Sequence, residues 1–149
     1  MMLSETLAEL ARLLNEGSLN YAVFLLARAV PLRGDGPSEA LVRAALGHAA
    51  VVGGIQDVSR EEMLEEVGAA ISHVGDRGSG PAAGVVASAR FHALLAAALA
   101  DLDARARVAT KVESFWLKKG HPAYPVFWDF AFLVTGSAEA LVFIGSSSD

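Results

Sequence analysis

Asp129 is the residue whose setting most suggests chemistry. It stands alone as a carboxylate within the apolar run Trp128, Asp129, Phe130, Ala131, Phe132. A carboxylate there is costly to bury unless it is paired. It could serve as a general acid or base, or as the anchor of an interface salt bridge. Its structural alternative is to face solvent on an edge strand or to accept from an Arg or Lys. Around it, Trp116, Tyr124, Phe127 and Trp128 crowd beside Pro122 and Pro125. Aromatic side chains with a polar handle often anchor protein interfaces, and as often fill small cores. Trp116, Tyr124, Trp128 and Asp129 are therefore the expected partner-binding residues.

Other reactive groups form no recognisable constellation. None of His48, His73, His92 and His121 stands four residues from another, so no metal site is expected. Gly53, Gly54, Ile55, Gln56 and Asp57 resemble a phosphate loop only in their glycines, with no Gly-Lys-Ser to follow. No cofactor is expected. The terminal Ser146, Ser147, Ser148 and Asp149 could hold a cation or touch a partner, but read better as a solvated, mobile end. The chain has no cysteine, which removes disulfides, thiolate catalysis and thiolate metal sites together. No catalytic residue is assigned, and a non-enzymatic role is expected.

Composition bounds what can position these groups. At 149 residues the chain is long enough for one domain with a real core. It is 53% hydrophobic and only 19% charged, with a mean hydropathy of +0.40. Such a chain is either compact and Ala-rich or has apolar surface covered by a partner. A net charge of −5 argues against nucleic-acid binding and fits a basic protein partner. The N-terminus lacks the basic segment and cleavage site of a signal peptide. The most apolar stretch, 81–100, carries Arg90 and His92, which disfavours a membrane span. A soluble cytoplasmic protein is expected.

Periodicity predicts helices over 5–16, 18–29, 38–46, 60–74, 81–103 and 111–119. Ser59 with Glu62, and Thr110 with Glu113, match capping boxes. Residues 48–58 are ambiguous, and Gly53 and Gly54 suggest a close backbone approach or a bend. A strand over 108–115 competes with the sixth helix. Residues 31–37 are dense in turn formers, and 75–81 is the candidate flexible junction. Two strands, 126–135 and 140–144, close the chain. Trp128, Phe130, Phe132 and Val134 share one face that should be buried. Leu141 to Ile144 are apolar on both faces and should be covered on both. The expected fold is α+β: one domain, mainly helical with about six helices, ending in an antiparallel β-hairpin.

The ending WDFAFLV…ALVFIGSSSD resembles the ends of small bacterial proteins of the toxin-immunity type. The GGIQD stretch is similar to a loop in another such group. The resemblance covers only the C-terminal block. It implies a protein that binds another protein, such as a basic toxin, and transfers no site residue. Three expectations follow. The first is a non-enzymatic binding protein that occludes its partner. The second is a ligand-binding domain or enzyme with Asp129 and one histidine in its pocket. The third is a homodimer that pairs exposed hairpin edges or helix faces.

Overall fold

The computed structural model describes residues 1–34 and 36–149. Five strands form one antiparallel sheet: β1 (Ala22–Pro31), β2 (Val51–Asp57), β3 (Lys111–Lys119), β4 (Trp128–Thr135) and β5 (Glu139–Ser148). Their spatial order is β1-β5-β4-β3-β2. The helices are α1 (Leu3–Asn15), α2 (Ser38–Leu46), α3 (Arg60–Ile71) and α4 (Ala89–Arg107). The first, third and fourth pack on one face of the sheet; the short α2 lies on the other.

β5 dictates this layering. It pairs with β1 over ten residues, Ala22↔Ser148 to Pro31↔Glu139, and with β4 over eight. Its Leu141 and Phe143 join Phe130, Phe132 and Val134 beneath α1, α3 and α4. Its Ala140, Val142 and Ile144 join Leu133, Val30 and Phe115 beneath α2. Each of these Val, Leu, Ile and Phe side chains, when fully buried, contributes ~1.5–3 kcal/mol of gross transfer free energy. α2 is held at both ends by polar contacts. Ser38 Oγ donates to the buried Glu113 at 2.8 Å, and Arg28 donates to the Ala45 carbonyl at 2.6 Å. On the opposite face, Arg60 links α3 to Asp103 of α4 at 2.8 Å.

A mainly helical chain ending in a hairpin is not what forms. Four helices pack on a five-stranded sheet among the described residues, and the hairpin strands β4 and β5 lie inside it. Two expected helices are strands. Residues 18–29 have Tyr21, Phe24, Leu25 and Ala29 at helical spacing, but the run is apolar on every side. Periodicity cannot distinguish such a run from a strand buried on both faces. Gly17 (φ +70°) reverses the chain after α1, and pairing with β5 then overrides the helix propensity of Leu and Ala. Residues 111–119 form β3, and the Thr110–Glu113 pair is no capping box. Glu113 is buried against Ser38, and Thr110 donates to the Thr135 carbonyl. Residues 51–57, ambiguous in sequence, are β2.

Other boundaries moved for local reasons. The 81–103 helix starts instead at Ala89, because Ser88 accepts from the Phe91 N–H and caps it there. It runs on to Arg107, with Arg105 and Arg107 paired to Asp101 and Asp103 one turn back. The Ser59–Glu62 capping box forms. Asp35, within the 31–37 turn stretch, lies outside the described residues. The 75–81 segment is tied down by the Leu19–Gly80 bridge and by Asp76, which accepts from Gly78 and Ser79. The terminal serines end β5; Ser146 and Ser147 are buried and hydrogen-bonded, not a solvated tail.

Gly145 tests the packing of β5. A Cβ there would stand 2.4 Å from the Phe130 ring and 2.9 Å from Leu25. Gly145→Ala is expected to cost roughly 1–3 kcal/mol, the usual scale of overpacking. Urea denaturation should show a lower midpoint with an unchanged slope.

Candidate functional site

The strands that should run side by side at the middle of the sheet part company. β3 and β4 pair only from Lys111↔Thr135 to Ser114↔Phe132. Beyond Ser114, β3 continues alongside β2 as far as Lys119. Before Phe132, β4 stays with β5 as far as Trp128. Backbone groups of Phe115–Lys119 and Trp128–Ala131 that would have bonded across the pair face a gap instead. The result is a wedge-shaped cleft of about 390 Å³. Trp116, Lys118 and Lys119 line one wall, Asp129 the other, and His121 and Tyr124 the mouth.

The Trp116 wall is built by two glycines. A register shift between Val52 and Gly54 marks a bulge in β2, where successive residues can face the same way. A Cβ on Gly53 would fall 2.2 Å from the six-membered ring of Trp116, and one on Gly54 2.5 Å from its Nε1. The indole therefore lies flat across bare backbone and leaves its other face in solvent; the side chain is 56% exposed. This is the close approach that the Gly-Gly pair suggested.

The mouth is set by the loop from Gly120 to Phe127. Gly120 (φ +78°) turns the chain hard against Ala49, where a Cβ would meet the Ala49 carbonyl oxygen. His121 Nδ1 accepts from the Ala123 N–H at 3.0 Å, so a neutral ring carries its proton on Nε2. Ser146 Oγ donates to the Ala123 carbonyl at 2.8 Å, and the Ser147 carbonyl accepts from Val126 and Phe127. The buried end of β5 thus fastens the loop, while Tyr124 projects from it 80% exposed.

Three of the four expected partner-binding residues meet here: Trp116, Tyr124 and Asp129. Trp128 points elsewhere. It is half-buried, stacks on Phe130 with centroids 5.9 Å apart, and donates from Nε1 to the Tyr21 hydroxyl at 2.7 Å. That contact and burial push the Tyr21 hydroxyl in opposite directions; burial dominates and raises its pKa. Asp129 is exposed and, among the described residues, has no ion pair within 4 Å. β4 is an interior strand, but at Asp129 it is locally an edge because β3 has left it. Its charge is felt by two neighbours. Burial lowers the His121 pKa, and Asp129 partly opposes the shift. The Glu66 carboxyl on α3 is pushed up, first by partial burial and then by Asp129.

Sequence reasoning missed Lys118 and Lys119 as cleft residues, having placed them at the end of a helix, and did not single out His121 among the four histidines. The prolines flanking Tyr124 were the available sign of a built loop. Among the described residues, no group of three or more His, Asp or Glu side chains could hold a metal ion. Among the described residues, no helix is long and apolar enough to cross a membrane. No family model, curated protein or solved structure matches the chain.

His121 links the loop to pH. Its folded pKa lies below the ordinary 6.5, so the unfolded chain binds the proton more readily. Its contribution to stability is present above pH 6.5 and lost as pH falls through the folded value. Protonation of Nδ1 also removes the acceptor for Ala123. His121→Asn keeps an acceptor for the residue two ahead and abolishes the titration. The variant's melting temperature should fall less than the wild type's between pH 7.5 and 5; identical profiles would remove His121 from this role.

Proposed function

We propose that this chain is a non-enzymatic protein-binding module that seats its partner at the split between β3 and β4. The observation that carries the reading is the pairing of Trp116, seated on β2, and Tyr124, carried on a loop hydrogen-bonded to β5, two largely exposed aromatic side chains beside one cleft. Exposed aromatics on preorganised backbone lose little entropy when a partner covers them, and such residues dominate binding energy. Backbone groups left unpaired by the split add hydrogen-bonding capacity for an extended segment of the partner. The net charge of −5 favours a basic partner and speeds its encounter. The immunity-type role, occlusion of a basic toxin, fits these features and rests on the C-terminal resemblance. The cytoplasmic setting is part of the same proposal and stands on the sequence reading.

A second reading is supported by one further observation. His121 and Asp129 line the same cleft, and its volume of about 390 Å³ is that of a small-ligand site. In that reading the cleft takes a small molecule and Asp129 contacts it directly.

Tagged wild type and the variants Trp116→Ala and Tyr124→Ala, each incubated with host lysate and secreted proteins, separate the two. Protein binding predicts a stoichiometric partner captured by the wild type and lost by both variants. Truncating such an anchor costs about 2 kcal/mol or more of binding, roughly thirty-fold in Kd. Tyr124→Ala should leave the melting temperature close to wild type, because Tyr124 is 80% exposed, whereas Trp116→Ala loses the contact of one indole face with β2 and should lower it by a few degrees without unfolding the chain. Retention of the partner by both variants would move the interface elsewhere. Gly53→Ala should weaken capture as Trp116→Ala does, because the added methyl lifts the indole from its seat. A rise in melting temperature with a metabolite, abolished by Asp129→Asn, would favour the small-ligand reading instead.

A further inference from the structure

The free edge of β1 carries an unusual arrangement of backbone groups. Asn15, the last residue of α1, bonds both polar groups of Val23: its Nδ2 donates to the Val23 carbonyl at 3.0 Å, and its Oδ1 accepts from the Val23 N–H at 2.6 Å. The Val23 groups therefore point away from β5. In an antiparallel ladder alternate residues bond alternate sides, so Leu25, Ala27 and Ala29 point outward too. The even-numbered residues face β5, and the Leu32 N–H continues that side by donating to Ala138. Among the described residues, no group outside the sheet bonds Leu25, Ala27 or Ala29. The open stretch ends at Pro31, which has no N–H to offer.

We propose that two copies of this chain pair through β1, antiparallel, about a two-fold axis at Ala27. The open stretch is symmetric about that residue. The axis sets Ala27 against Ala27 and Leu25 against Ala29 of the second copy, forming about six backbone hydrogen bonds. It also sets Val23, whose groups Asn15 already holds, against Pro31. Each dead end therefore meets a dead end; the one group left over, the Pro31 carbonyl, lies at the solvent-exposed end of the ladder. Side chains fit the same register. On the side of α1, the bulky Leu25 meets the small, exposed Ala29. On the side of α2, half-buried Phe24 meets Val30, and Leu26 meets the stem of Arg28, with no like charges directly opposed. The Arg28 head is already engaged by the Ala45 carbonyl and does not guard the edge. Natural edges are blunted by charged side chains, Pro or bulges; Leu25–Ala29 has no Pro and no bulge, and its one charge is Arg28, bonded to α2. The dimer is one ten-stranded sheet with a β3–β4 cleft toward each end, and its existence is independent of what the cleft binds.

Sedimentation equilibrium at 50–100 µM tests the pairing, and the expected mass is twice 15.5 kDa. Ala29→Lys places a charge opposite Leu25 and should raise the dimer Kd roughly ten-fold or more, while leaving the fold intact because Ala29 is exposed. Ala27→Pro removes an N–H that only the dimer uses, and should give the same loss with a native circular-dichroism spectrum. The register is read from a spin label on Ala22→Cys, the chain's sole thiol. Two labels ten residues apart along paired strands lie about 34 Å from each other. A monomeric wild type, a dimer untouched by both substitutions, or a label distance far from that value would overturn the proposal.

Discussion

Burial of β5 on both faces is the constraint from which the rest of the architecture follows. Leu141, Val142, Phe143 and Ile144 are consecutive, apolar and buried, and successive side chains of a strand point opposite ways. One layer cannot cover them. Three helices close over Leu141 and Phe143, and α2 closes over Val142 and Ile144. The backbone of the same strand must also be paired on both edges, which β1 and β4 provide. The last strand of the chain is thus the first that the fold must satisfy, and it is completed only when residues 22–31, more than a hundred positions earlier, have joined it.

The split between β3 and β4 follows from the same requirement. β4 is committed to β5 along its whole length, down to Trp128. β3 is committed to β2, whose glycine bulge increases local twist and lets an indole lie on its backbone. Beyond Ser114 the two ladders diverge, β3 staying with β2 and β4 with β5. The gap opens where β3–β4 pairing stops, at Ser114↔Phe132. Its lining then takes on character from the residues placed there: an aromatic wall, two lysines, an exposed carboxylate, and a loop fastened by Ser146 and Ser147.

What could be read from the sequence divides along physical lines. α1, α2 and α3 were legible because each has a local apolar stripe and local stop or cap residues, such as Ser59 with Glu62. The faces of β4 were legible from strict alternation of Phe130, Phe132 and Val134. β1 and β3 were not, because both owe their conformation to partners distant in sequence. Residues 18–29 read as helix from the spacing of Tyr21, Phe24, Leu25 and Ala29, and pairing with β5 makes 22–31 a strand. Thr110 and Glu113 matched a capping box that does not form, because Glu113 accepts from Ser38 of α2 instead. The site was half legible. Trp116, Tyr124 and Asp129 stood out by type, but their meeting in one cleft depends on where β3 leaves β4, and no local pattern encodes that. Trp128 stood out equally and serves packing, since Tyr21 accepts its N–H.

The placement of the cleft separates stability from recognition. Phe132, Phe143, Leu133 and Ile144 lie within a few residues of it yet are fully buried, and they hold most of the transfer free energy in this part of the sheet. Tyr124 and Asp129 are exposed and contribute little to the folded state, and Trp116 rests only one face on β2. Residues so placed can change without unfolding the chain, while the backbone that aims them is fixed by β2, β5 and the Ser146–Ala123 bond. An open sheet edge offers no such separation, because whatever docks there must extend the ladder itself. A split inside the sheet presents unpaired backbone and exposed aromatics together, and both flanking strands remain anchored whether or not the gap is filled.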